Sequence, residues 1–242
     1  MIEIHPLAVD VEIDQSHDLA TLVTAAAPPL RDGDVVAATH KAVSKNEGRV
    51  VVLDQVEPSA RAIDLAGDHS DPRVVEVVLQ ESRRVLRVRG PLLVTETHSG
   101  LVCANAGVDQ SNAPRPGTVV LLPLDPDASA ARLRAGLARS TGVCVGVLVV
   151  DTMGRAWRHG IVGTAIGAAG VECLRDLTGV VDASGRPLRS TVIAIADELA
   201  AAADLAFGKR DRVPFALIRG AAVAGDATAS EIIRPAERDL FR

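Results

Sequence analysis

VCVGVLVVDT, Val143 to Thr152, is eight apolar or glycine residues followed by a carboxylate and a hydroxyl. Apolar side chains fall at odd and even positions alike, so a strand over Val143–Val150 must be covered on both faces. That makes it a central strand, and it is expected to stop at Asp151–Thr152. Working outward, Val35–Thr39 (VVAAT) is a second buried strand and Pro214–Arg219 a third. After Thr39 the segment HKAVSKNEG reads as polar chain at a strand end, leading through Gly48 to a strand from Arg49 to Leu53. Asp125–Gly142 is a helix with acid at its start and arginine at its end, which complements the helix dipole. Ala196–Phe207 is an alanine-rich helix closing at Gly208–Lys209. Ser16–Ala27 is a helix with Ser16 at its cap. Residues 58–88 read as helical segments opened by Pro58–Ser59 and by Asp71–Pro72. No fixed-period repeat or low-complexity linker interrupts the chain. The class is α+β, or α/β with mixed strands.

Composition excludes several functions. With 242 residues, 48% hydrophobic and 24% charged, the chain has the balance of a globular protein with ample core. A net charge of −5 and 2% aromatic residues argue against nucleic-acid binding, which needs a positive footprint and stacking rings. No apolar run approaches a membrane span and no signal core follows the N-terminus, so a cytoplasmic protein is expected. Cys103, Cys144 and Cys173 are far apart, show no metal-ligand spacing, and read as small buried apolar residues in a reducing compartment.

The residues with chemical potential gather in a few places. Glu96–Asn112 (ETHSGLVCANAGVDQSN) reads as a long polar loop between two core strands, suited either to a ligand or to folding on its own hydrogen bonds. Asp151 ends a buried strand, where a carboxylate is costly unless paired or bound to metal. With Thr152 and Asp109 it supplies hard oxygens, which favour Mg2+ or Mn2+ over zinc; a turn-capping role for Asp151 is the alternative. Arginine is everywhere, yet there are only three lysines, Lys41, Lys45 and Lys209. Two of them lie in one short segment with His40 and Ser44, a setting that suits phosphate. Arg155, Trp157, Arg158 and His159 form a cationic group suited to an anionic substrate, with Trp157 able to stack on a flat ring or to plug the core. Glu198 faces a site from a helix start or only complements the dipole.

Taken in order, DGDVV, THKAVSKNEGRVV, VCANAGVDQSN, LLPLDPDASAARLR, VVDTMGRAWRHG, AIGAAG, ADELAAAADLAFGK and ALIRG resemble the CofE-type family. These are coenzyme F420-0:L-glutamate ligases, a group that includes the N-terminal domain of a two-domain actinobacterial version. The resemblance spans nearly the whole chain, Ile2 to Phe241. It implies a two-part α+β fold with mixed sheets and flanking helices, assembled as an intertwined homodimer. It implies a GTP-dependent ligase with two divalent cations, Mg2+ or Mn2+, and a monovalent one such as K+. The reaction adds L-glutamate to the side-chain carboxyl of the 5-deazaflavin coenzyme F420-0, then further glutamates through γ-linkages, by way of an acyl phosphate. By motif, Asp109 and Asp151 hold the first metal and Thr152 the second. Lys45, Asn112 and His40 contact GTP, with help from Asp10, Val11, Glu12 and Ile13. Arg155 and Arg158 are candidates for holding substrate carboxylates or phosphate.

The chain departs from the family pattern at three points. The early loop, VDVEI, lacks a Gly-Leu-Pro-Glu pattern. His40 stands where Ser or Thr is frequent. Lys209 stands where archaeal members often carry Gln near the second metal. A single ligase domain over residues 1–242 is expected, without the nitroreductase-type flavin domain of the fused version; the chain is either a stand-alone ligase or part of a longer one. Two other readings stay open: a related GTP-dependent amide ligase with a different carboxylate acceptor, and a non-catalytic GTP- and metal-binding module.

Overall fold

The computed structural model describes residues 1–208 and 212–240; Lys209, the third lysine, therefore lies outside the described residues. In chain order the elements begin with β1 (Glu3–Leu7), α1 (Leu19–Ala26), β2 (Val35–Thr39), α2 (His40–Asn46) and β3 (Val50–Val52). Next come α3 (Ala60–Ala66), α4 (Pro72–Gln80), β4 (Ser82–Arg89), β5 (Leu92–Thr97), β6 (Val102–Ala104) and β7 (Thr118–Val120). The chain continues with α5 (Pro126–Thr141), β8 (Gly146–Arg155), β9 (Arg158–Ala169), β10 (Arg175–Asp176), β11 (Val192–Ile193), α6 (Ile195–Phe207) and β12 (Phe215–Arg219).

The main sheet has the order β1-β12-β2-β8-β9. Only β2 and β8 run parallel; the other neighbours are antiparallel. The doubly apolar run in β8 is explained by what covers it. Val147 and Val149 point into one apolar cluster with Val36, Ala38, Phe215 and Leu217, closed by α1 and α5. Leu148 and Val150 point into the other with Val35, Ala37, Ala216 and Ile218, closed by α6. Each such side chain taken fully from water contributes about 1.5–3 kcal/mol. On α6 the buried residues Ile195, Ala196, Leu199, Ala200, Ala203 and Phe207 follow the helical period. Two glycines of β9 let the layers close. A Cβ on Gly163 would collide with the Ala200 carbonyl of α6, and one on Gly167 with the Pro126 carbonyl of α5.

Residues 50–121 carry a separate set of small sheets, β4-β5-β6 and β3-β7, over two apolar clusters of their own. One cluster centres on Leu93, Val75 and Val78; the other joins Leu53, Val77, Val119 and Leu121. The mixed α+β class is thus present. No helix among the described residues is long and apolar enough to cross a membrane.

Several expectations are corrected here. β8 does not stop at Asp151 but runs to Arg155 and returns as β9, because the Met153–Ile161 segment is a hairpin rather than a glycine-rich loop. HKAVSKN is helix, not strand-end coil: Thr39 caps it, its side chain accepting from the Ala42 N–H at 3.4 Å. The cap of α1 is Asp18, whose carboxylate accepts from Ala20 N–H at 2.9 Å, while Ser16 is drawn into a turn by Asp14. Cys144 is exposed, unlike Cys103 and Cys173.

The polar stretch 96–112 is mostly not a loop. It contains the end of β5, all of β6 and a tight turn, and its polar groups fold the chain itself. Glu96 is buried and takes Arg84 at 2.6 Å. Asn105 accepts from Leu93 N–H at 2.9 Å, and Thr95 from Ala106 N–H at 3.0 Å. Thr97, His98, Ser99, Leu101, Val102 and Ala106 line one cavity, and Asn112 lines another.

Candidate active site

β2 and β8 pair as far as Thr39 and Val150. There the β2 chain leaves the sheet and turns into α2, while β8 continues with β9 alone. A cleft of about 560 Å3 opens at this parting, walled by Val9, Val11, Glu12 and Ile13, by α2, Asn112, Asp151 and Thr152, and by the end of α6. It lies beyond the carboxyl ends of two parallel strands, where sheets of this kind place ligands.

Helix α2 organises the cleft by giving each of three acids a basic partner. His40, its first residue, brings Nε2 to 3.3 Å from Asp151 Oδ1; both side chains are largely buried, 3% and 15% exposed. Lys41 Nζ lies 2.7 Å from Asp109 Oδ2 and donates to Ser111 Oγ at 2.6 Å and to Ser111 O at 3.0 Å. Lys45, one turn on, donates to Glu12 Oε1 at 2.5 Å. Asp109 is fixed by its backbone as well, in a two-way bridge with Val120 at 3.0 and 2.8 Å. Partial burial raises the Asp109 carboxyl, but the bonds from Lys41 and Ser111 outweigh it and hold the group below the usual carboxylate range. It is therefore ionised at neutral pH. Burial, with the charge of Asp151 adding, pushes the Cys103 thiol up to about 12. Cys103 stays protonated and is no nucleophile.

Of the residues singled out from sequence, Val11, Glu12, Ile13, His40, Lys45, Asn112, Asp151 and Thr152 line this one cleft. Asp109 stands behind its rim, tied to it through Lys41. Asp10 is exposed on the loop before Val11. Arg155 and Arg158 are not brought in. They flank the exposed tip of the β8–β9 hairpin, where Arg155 donates to His159 O at 3.2 Å. Trp157, at that tip, is 88% exposed and is neither a core plug nor part of the cleft wall. Glu198 is exposed; its neighbour Asp197 instead accepts from Ala165 N–H at 3.0 Å.

Sequence reasoning missed Lys41 as the partner of Asp109, and Asp204, Phe207 and Arg212 as cleft residues. A signal for Asp204 existed: Gly163, the partner of Thr152 across β8 and β9, has no side chain, and α6 packs there beside the Asp204 Cβ.

Whether these donors suit a metal can be judged from their chemistry. Among the described residues no group of three or more His, Cys, Asp or Glu is spaced to hold an ion alone. The described residues alone therefore do not form a resident all-protein cage. A hard cation that arrives with phosphate needs only one or two carboxylates, the rest of its shell being water and phosphate oxygen. Asp151 and Thr152, side by side in the cleft wall, fit that case; Asp109 is joined to the cleft through Lys41.

A second cavity of about 760 Å3 lies past β9, against β6, the start of α5 and residues 228–234. Among the described residues its walls carry Glu81, Asp125, Asp127, Asp197 and Asp239 against Arg234. Burial raises the Asp197 carboxyl, only partly offset by the Ala165 N–H. A wall of carboxylates repels phosphate, so the smaller, lysine-bearing cleft is the candidate site.

Fold and cleft together define a class: an α+β protein with an anion-receiving site of lysines, an amide and hard-oxygen donors at a parallel strand parting. The family of F420-0:gamma-glutamyl ligases matches residues 10–220, and the chain belongs to that family. It is 46% identical to the coenzyme F420:L-glutamate ligase of Methanopyrus kandleri, over 100% of this chain and 98% of that protein. It is 42% identical to the protein of the same name from Methanocaldococcus jannaschii, over 88% of this chain and 86% of that one. With the Methanothermobacter thermautotrophicus protein of that name, identity is 41% over 93% and 92% of the two chains. The family resemblance drawn from the ordered motifs is borne out.

Proposed function

We propose that this chain is a GTP-dependent ligase that joins L-glutamate in amide linkage to the side-chain carboxyl of the deazaflavin coenzyme F420-0, and then adds further glutamates through γ-linkages. The observation that carries the reading is the convergence of His40, Lys41 and Lys45 with Asp151 and Glu12 in one cleft, Lys41 also holding Asp109, in a chain whose relatives bear that ligase name.

A carboxylate is a poor electrophile and must be activated. An acceptor carboxylate oxygen attacks the γ-phosphorus of GTP, the bond to the β-phosphate oxygen breaks, and GDP leaves. The acyl phosphate so formed is attacked at carbon by the glutamate amine; a proton is lost, the C–O bond breaks, and inorganic phosphate departs. Lys45 and Lys41 set ammonium charges where triphosphate charge collects, and Asn112 offers an amide at the same wall. Phosphate entering the cleft competes with Glu12 for Lys45. Asp151 with Asp109 would hold one divalent cation and Thr152 a second, with K+ nearby. Mg2+ or Mn2+, when bound, supplies charge neutralisation at the phosphoryl oxygens. Asp10 belongs to the nucleotide side of this scheme. Arg155 and Arg158 would meet substrate only from the hairpin tip. Homodimer assembly belongs to the same proposal: the hairpin presents Trp157 and Ile161, 88% and 54% exposed, as apolar surface for a second copy. So does a cytoplasmic location.

The test is direct. Purified protein is given F420-0, L-glutamate, GTP and MnCl2, and the product is weighed by mass spectrometry. One or more added glutamyl residues, lost on omission of any component, is the expected result. No mass shift with all four present overturns the reading. GTP-dependent phosphate release with another carboxylate would mark a ligase of different acceptor. Nucleotide binding without release under any mixture would mark a non-catalytic module.

A further inference from the structure

We infer that His40 is itself a metal ligand, adding an imidazole nitrogen beside Asp151 and turning the cleft toward first-row transition ions over Mg2+. The inference rests on the reading of the cleft as a metal–nucleotide site, and goes beyond it. His40 is expected from the resemblance to touch nucleotide; its ring also meets Asp151. Its Nε2 stands 3.3 Å from Asp151 Oδ1, and both residues line the same cavity with Thr152.

The geometry suits two neighbouring ligands of one ion. Adjacent donors on an octahedral cation with bonds of about 2.1 Å stand about 3 Å apart. The observed separation needs only a small closure. Both donors are held in place by the fold. Thr39 is in register with Val150 and caps α2, so His40 and Asp151 follow directly from paired positions on neighbouring strands. His40 is only 2% exposed, so its ring has little room to swing away.

The donor set then differs in kind from one built of oxygen alone. Mg2+ dehydrates reluctantly and keeps to oxygen, whereas imidazole is a good donor for transition ions. Nitrogen ligation uses the lone pair of neutral imidazole. The residue at position 40 thereby sets metal choice.

The experiment uses the full chain with Mn2+ and GTP. Pulsed EPR of bound Mn2+ is expected to show coupling to a ring nitrogen that changes when histidine alone is labelled with 15N. That labelling separates imidazole from guanine nitrogen. The coupling disappears in His40→Thr, and the Mg2+ concentration that displaces half the Mn2+ falls by about tenfold or more. Mn2+ bound without histidine coupling, or with coupling that persists in His40→Thr, overturns the inference and leaves His40 as a hydrogen-bond partner of Asp151. Failure of Mn2+ to bind even with GTP overturns the metal–nucleotide reading beneath it. If His40→Thr does not fold, the labelled wild-type spectrum still decides.

Discussion

Asp151 and Asp109 differ in their surroundings although both carry the same group. Asp151 sits beside a buried imidazole at 3.3 Å, and Asp109 is gripped by an ammonium and a serine. Asp151→Asn keeps the shape and an acceptor for its own neighbour, the Thr152 N–H at 2.7 Å, but removes the charge. Turnover is expected to fall by at least about a thousandfold with Tm within about 3 °C of wild type. Unfolding instead would make Asp151 a structural cap, the alternative that its sequence position left open. Lys41→Met removes the counter-ion of Asp109, a half-exposed pair worth about 1 kcal/mol or less after screening, or roughly 2–4 °C in Tm. The sign with pH follows from the lowered Asp109 value. Its stabilisation is complete above the unfolded value of 3.8 and is lost as pH falls through the folded one. The Tm gap between Lys41→Met and wild type should therefore be full at pH 7 and close as pH drops below about 4. A gap that is constant with pH would show that Lys41 acts through packing.

Helix α6 and strand β9 are matched element to element. Gly163 sits under Ala200 and beside the Asp204 Cβ, so Gly163→Ala must push α6 outward or bend β9. A loss of about 1–3 kcal/mol is expected by analogy with overpacked cores, and GTP affinity should weaken with it because Asp204 and Phe207 wall the cleft. Denaturant melts and nucleotide titration read the two effects; intact affinity would mean α6 does not shape the site. Asp197, on the same helix, carries a carboxyl raised by burial. A raised carboxyl binds protons more tightly in the folded state, so stability falls as pH rises through the window above 3.8. Asp197→Asn, which still accepts from Ala165 N–H, should be as stable as wild type or more so at pH 7, and lose that advantage near pH 3. A lower Tm at pH 7 would contradict this.

The elements also show what could be read from residues and what could not. The capping pairs Ser59 with α3 and Asp71 with α4, and the acid-to-arginine polarity of α5, were visible because capping and dipole effects act within one turn. HKAVSKN was not read as helix, because its cap, Thr39, is also the last residue of a strand. Ser16 and Asp18 are both good caps, and the choice fell to the Asp14–Ser16–His17 turn that occupies Ser16.

At the scale of the molecule the main sheet positions the cleft and a distant insertion completes it. Glu12, Asp109 and Asp151 are far apart in sequence, yet each meets one residue of a seven-residue helix. A homodimer built through the exposed β8–β9 hairpin should sediment at about twice the 25.2 kDa of one chain. Trp157→Glu at its tip is then expected to shift the population toward monomer at micromolar concentration. A chain that is monomeric at every concentration would remove the hairpin from the assembly.

The family, the α+β class and most of the cleft residues were legible in the order of motifs and in the doubly apolar run before Asp151. Those properties rest on residue type and short spacing. Tertiary structure alone decided that Lys41 holds Asp109, that His40 faces Asp151, that Asp204 enters the wall, and that Arg155 and Arg158 stay at a hairpin tip. Such pairings depend on where β2 leaves β8 and how closely α6 settles on Gly163. Those distances between segments are set by packing across the sheet and leave no local mark in the chain.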